Sequence, residues 1–97
     1  MDRKKIIREV LEFLNDEEVR CTYSAVADLL GIDPKSVGDY LGDRRQEASW
    51  VVGKQTFKPT GYLPEQIHPN LYATPKVICD AQELWEKLLE FQSGTHD

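Results

Sequence analysis

Apolar positions along the chain fall into a few short periodic stretches. Ile6, Ile7, Val10, Leu11 and Leu14 lie at i, i+1, i+4, i+5, i+8, one stripe of a 3.6-residue period, with Arg3, Lys4, Lys5, Arg8, Glu9 and Glu12 on the other face. This predicts a first helix over 3–14, with Phe13 off the stripe and Asn15-Asp16 as its stop. Val26, Leu29 and Leu30 stripe a second helix, with Ala25 or Ala27 allowing close approach. Thr22 or Ser24 caps its start, since either hydroxyl can accept from a free first-turn N–H. Gly31 follows it, where a left-handed residue is needed. Asp33-Pro34 is the clearest start signal, an N-cap followed by proline at the first helical position. A third helix runs from there to about Leu41, with Val37, Tyr40 and Leu41 inward. Gly38 within so short a helix costs ~1 kcal/mol against alanine. It marks a close backbone approach, either to another helix or to a ligand.

Beyond Leu41 the period changes. Ser49-Trp50-Val51-Val52 reads as a strand from its β-branched and aromatic content. Gly53-Lys54-Gln55 reads as a turn, Thr56-Phe57 as the returning strand, and Pro59-Thr60-Gly61-Tyr62 as the end of a hairpin. Pro64, His68-Pro69 and Pro75 make 63–75 a loop, and Val77-Ile78 suits a short strand. Asp80-Ala81-Gln82-Glu83 has the form of a capping box, with Cys79 and Leu84 placed as a staple. Ala81, Leu84, Trp85, Leu88 and Leu89 then give a last helix an apolar face to about Gln92, and 93–97 reads as a frayed tail. The expected fold is mainly α with a small β-wing: a winged helix-turn-helix of three N-terminal helices, a hairpin and a C-terminal helix. The helix–turn–helix joint lies between the second and third helices.

At 97 residues the chain is one domain, 1–97, with room for a modest core. No apolar run approaches the ~20 residues of a membrane span, and the basic start leads into an amphipathic pattern rather than a signal core. No membrane role and a cytoplasmic location are expected. Cys21 and Cys79 lack metal or redox spacing, and His68 and His96 stand alone, so no metal or cofactor is expected.

The net charge of −5 counts against a nucleic-acid partner, but it is uneven. Residues 33–62 carry five bases (Lys35, Arg44, Arg45, Lys54, Lys58) against four acids, a balance of +1; residues 63–97 carry two bases and six acids, a balance of −4.

Thr22-Tyr23, then Lys35-Ser36-Val37-Gly38, Val51-Val52 and Gly61-Tyr62 give residues 20–62 a resemblance to the DNA-binding domain of the alkylguanine-DNA alkyltransferases and their inactive alkyltransferase-like relatives. In that family a Thr-Tyr opening, an Arg-Ala-Val-Gly recognition-helix start, an active-site strand and a Gly-Tyr wing end occur in the same order. Two departures stand out. The family's arginine finger falls on Lys35, which keeps the charge but loses the planar group that stacks on bases. Its Pro-Cys-His-Arg falls on Glu47-Ala48-Ser49-Trp50, so the alkyl-accepting thiol and its activating histidine are absent.

The resemblance implies a non-catalytic module for double-stranded DNA, with damaged or distorted DNA as a narrower target; five bases interspersed with four acids in 33–62 imply weak to moderate, salt-sensitive binding. Lys35, Ser36 and Asp39 stand at the edge of the helix that approaches a groove, with Gly38 at the family's glycine. Tyr23, Arg44, Arg45 and Lys54 are candidates for phosphate contact. The competing readings are a core tyrosine for Tyr23 and a solvated loop for Arg44 and Arg45. The alternative function is a winged-helix protein-interaction module, suited to the acidic C-terminal helix and to an apolar ledge of Tyr62, Ile67, Leu71 and Tyr72. No Ser/His/Asp, Cys/His or phosphate-loop pattern argues for an enzyme.

Overall fold

Local capping chemistry sets the helices. In the computed structural model, which describes residues 2–94, helix α1 (Arg3–Glu17) starts where Asp2 accepts from the Lys5 N–H. It runs past the expected stop at Asn15-Asp16. Asn15 stays helical because its side-chain oxygen accepts from the Trp50 indole at 3.1 Å, which ties α1 to the core. The helix ends instead at Glu18, in the left-handed region with φ 54°. Phe13, off the predicted stripe, is buried and meets Phe91 edge-on at 5.6 Å.

Helix α2 (Tyr23–Leu30) is capped by Thr22, whose hydroxyl accepts from the Ala25 N–H at 3.1 Å. Gly31 closes it at φ 69°, its N–H turned back to the carbonyls of Ala27 and Asp28. Asp33 caps α3 (Pro34–Leu41), accepting from the Lys35 N–H at 2.9 Å. Val37 and Leu41 are buried on α3 and Tyr40 is half-buried.

The β structure departs from the expected hairpin. Val51–Val52 forms β2, but it pairs in parallel with β1 (Arg20–Thr22), which the sequence pattern did not predict. Val77–Ile78, predicted as a strand, is β3 and pairs in parallel with the other edge of β1. The sheet order is β2-β1-β3. Cys21 sits opposite both Val51 and Ile78. Burial explains the choice. Val51 and Val52 are both fully buried, and a wing exposed on one face would leave one of them in water. Thr56-Phe57 cannot return as a strand, because Phe57 has φ 56°. The chain instead closes a tight loop, with Gly53 N–H on the Lys58 carbonyl and Phe57 N–H on the Gly53 carbonyl. The described chain is thus a small α/β protein of four helices and a parallel three-stranded sheet, with no antiparallel wing among the described residues.

Helix α4 (Ala81–Gly94) packs along α2 and continues past the expected end near Gln92. Asp80 accepts from the Gln82 N–H at 2.7 Å, but Glu83 turns to the Lys76 ammonium at 2.6 Å rather than back to the helix start. Of the expected staple pair, Leu84 is buried and Cys79 exposed. His96 and the rest of the tail at 95–97 lie outside the described residues. Among the described residues no helix is long and apolar enough to cross a membrane.

Trp50 lies at the centre of the core, fully buried, its ring 4.7 Å from that of His68. His68 is held there by its N–H on the buried Ser49 hydroxyl. Of the expected apolar ledge, Leu71 is buried, Tyr62 and Ile67 are half-buried, and Tyr72 alone is exposed. The ledge is not formed, because Leu71 is drawn into the core.

Candidate nucleic-acid interface

The C-terminal half of α3 borders an open cleft of about 590 Å³. Tyr23 reaches it from the first residue of α2, Gly38 and Asp39 from α3, Arg44 from the loop after α3, and Thr60 and Tyr62 from the segment that follows the tight loop. Tyr23 and Tyr62 are far apart in sequence and meet here because Thr22 ends β1 while Val52 ends β2 on the adjacent strand. The parallel pairing carries both chains to one end of the sheet.

Gly38 resolves an ambiguity. A Cβ built on it would meet nothing within 4 Å. It makes no close approach to another helix, so the packing reading is corrected, and its bare backbone faces the cleft. Gly61 is different. It has φ +73°, and a Cβ there would lie 3.1 Å from an Arg44 guanidinium nitrogen. Glycine meets both demands without strain, and with no side chain there the Arg44 guanidinium can pack close to the Gly61 backbone.

The Tyr62 phenol is raised above the ordinary tyrosine value, first by burial and then by the nearby Tyr23 phenol. The Arg45 and Arg44 guanidiniums, and a hydrogen bond from the Arg45 backbone N–H, pull the other way. The two phenols and two guanidiniums therefore share one neighbourhood. Asp39 and Asp43 also line the cleft, leaving it mixed in charge rather than basic. Such a wall offers both kinds of hydrogen-bonding partner: phenol and guanidinium donate, and carboxylates accept.

Of the predicted contact residues, the fold gathers Tyr23, Gly38 and Arg44 at this cleft. Lys35 is exposed on the first turn of α3, and Ser36 is half-buried in a neighbouring hollow that Lys4, Ile32 and Tyr40 also line. Arg45 donates to the carbonyls of Leu41 and Asp43, both at 2.9 Å, and sits 3.9 Å from Glu47. Its guanidinium closes the end of α3, which is more than the solvated-loop reading allows. Lys54 is exposed on the tight loop after β2. Sequence reasoning did not name Asp43, Thr60 or Tyr62 as site residues. Gly61-Tyr62 was the available signal for the last of these.

Neither thiol is at the cleft. Cys21 is buried in β1, and burial, followed by the proximity of Cys79 and Glu83, pushes its thiol far up. Cys79 is exposed beyond β3. Ala48 is fully buried. Among the described residues no group of three or more His, Cys, Asp or Glu is placed to hold a metal ion. Compared with models of known protein families, with curated proteins and with solved structures, the chain matches none.

Proposed function

We propose that the protein is a non-enzymatic module for double-stranded DNA, of the alkyltransferase-like type, with α2 and α3 used as a helix-turn-helix and distorted or damaged sites as its preferred target. One observation carries the reading. Tyr23, Gly38 and Tyr62, which belong to three separate pieces of the resemblance, converge on one cleft with Arg44. Two phenols and a guanidinium line the cleft, groups of the kind that stack on an extruded base and hydrogen-bond to its edge. Lys35 stands exposed at the N-terminal end of α3, where it can reach the gap a displaced base leaves. No alkyl transfer belongs to the proposal, because Cys21 is held protonated by burial and Ala48 carries no nucleophile.

The test is a fluorescence titration of matched, mismatched and alkylated duplexes at two salt concentrations. Neutralising roughly three to five phosphates gives a log–log salt slope of about −3 to −5. Arg44→Ala lowers that slope by about one unit, while Arg45→Ala chiefly destabilises the end of α3. Lys35→Arg strengthens the preference for mismatched over matched duplex, since a guanidinium plane stacks where an ammonium cannot. Mass spectrometry after incubation with alkylated-guanine DNA shows no adduct. Absence of binding to every duplex at low salt and high micromolar protein removes the reading.

A protein-interaction module is the second reading. Trp85 and Leu89, one turn apart on α4, are 45% and 42% exposed beside Glu86 and Glu90. Trp85→Ala leaves DNA titrations unchanged under the first reading and abolishes partner binding under the second.

A further inference from the structure

The tight loop after β2 holds an aromatic residue in a backbone conformation that aromatic residues rarely adopt. Phe57 has φ 56°, a region open to glycine and crowded for a side chain with a Cβ. Three hydrogen bonds fix it there. Its N–H donates to the Gly53 carbonyl at 2.8 Å, the Gly53 N–H donates to the Lys58 carbonyl at 3.0 Å, and Arg20 donates to the Phe57 carbonyl at 3.1 Å. Arg20 is itself buried, with its other terminal nitrogen on the Thr74 carbonyl, so the loop is anchored to the central strand. Phe57 is 38% exposed and stands outside the buried core. An aromatic residue is thus kept at a left-handed position on the surface, where its side chain is open to a ligand.

The surroundings indicate what the ring meets. Lys54 and Lys58 flank it, both exposed, and neither is in an ion pair among the described residues. From Ala48 to Pro64 no acidic residue occurs, in a chain whose net charge is −5. The loop also borders the cleft: a Cβ on Gly53 would lie 3.9 Å from the hydroxyl of Thr60, which lines it. A protein-binding hot spot sets its aromatic residue in a patch depleted of lysine. An aromatic residue between free lysines fits the alternating base faces and phosphates of an unpaired strand.

We propose that Phe57 is a base-stacking contact that takes the face of an unpaired nucleobase beside the cleft, with Lys54 and Lys58 on the flanking phosphates. The proposal rests on the DNA-binding reading and adds to it a preference for DNA with bases outside the duplex. The experiment measures fluorescence anisotropy of the protein on a blunt duplex and on a forked duplex of the same sequence. The variants are Phe57→Asn, which tolerates the left-handed backbone, Phe57→Gly, which adopts it freely, and Phe57→Trp. The wild type binds the fork more tightly than the blunt duplex. Phe57→Asn and Phe57→Gly weaken fork binding by roughly five- to hundred-fold, leave blunt-duplex binding nearly unchanged and do not lower the melting temperature. Phe57→Trp keeps the fork preference. Wild-type binding with unchanged fork affinity in both ring-less variants overturns this proposal and leaves the DNA reading standing. Wild-type failure to bind either DNA overturns both. A concentration-dependent dimer that Phe57→Asn abolishes assigns the ring to a second copy and overturns the proposal.

Discussion

Helices α2 and α3 are each eight residues long, both capped by a side-chain oxygen and joined by a three-residue connection, yet they do opposite things. Helix α2 buries Ala25, Val26, Ala27 and Leu30 without exposure, between α4 on one side and α3 on the other. Helix α3 buries Val37 and Leu41 and leaves Lys35, Gly38 and Asp39 at the surface. The first is a packing element and the second a presenting one. Stability and candidate chemistry are therefore assigned to different helices of similar size, and substitutions should separate them.

The largest effect is expected on the packing side. Leu30→Ala removes a fully buried side chain and should cost about 2–5 kcal/mol in urea denaturation. A cost below about 1 kcal/mol would make α2 as peripheral as α3 and break the comparison. On the presenting side the sign reverses. Gly38→Ala meets no atom within 4 Å, so it should raise stability by up to about 1 kcal/mol through helix propensity while putting a methyl into the cleft wall. A more stable variant with weaker mismatch binding sharpens the division; a lower melting temperature sinks it. Lys35→Ala should change stability by no more than about 0.5 kcal/mol, since its side chain is exposed and outside any ion pair among the described residues.

The smallest effect is a pH dependence at the cleft. Burial raises the Tyr62 phenol above its ordinary value of 10.0, so the folded state holds that proton more tightly than the unfolded one. Its contribution is fully present below pH 10.0 and is lost as pH rises through the higher native value. Ultraviolet titration should show one tyrosine ionising late in the native protein, and Tyr62→Phe should remove that phase.

The helices were legible in the sequence because their signals act within four residues. Thr22 caps through the Ala25 N–H, Asp33 through the Lys35 N–H, and Gly31 closes the turn between them. The sheet was not legible for the converse reason. Strand β1 is only Arg20–Thr22, and it opens on an arginine whose burial depends on the carbonyls of Phe57 and Thr74, far along the chain. Nothing local to Arg20 announces those partners. The Val51-Val52 strand was visible, but its partner was not, because parallel pairing is chosen by burial on both faces rather than by the turn that follows. At the candidate site, Tyr23, Gly38 and Arg44 were found because each is conspicuous by residue type or by motif. Thr60 was missed because only the pairing of β1 with β2 brings its segment to the cleft, and Asp43 because a carboxylate is the wrong charge for a phosphate contact.

That sheet also sets the order of events when the chain folds. Cys21 must find Val51 on one side and Ile78 on the other, and no hairpin turn brings either strand to it. Helices α1, α2 and α3 can form and associate early from contacts near in sequence. The ladder can close only after long stretches of chain have been drawn in, which is entropically slow. During synthesis the open edge of β1 that β3 will cover stays bare until Ile78 has left the ribosome. In refolding of a Trp85→Phe variant, which leaves Trp50 as the one tryptophan, helical signal should therefore recover before the Trp50 fluorescence that reports burial beside the closed sheet.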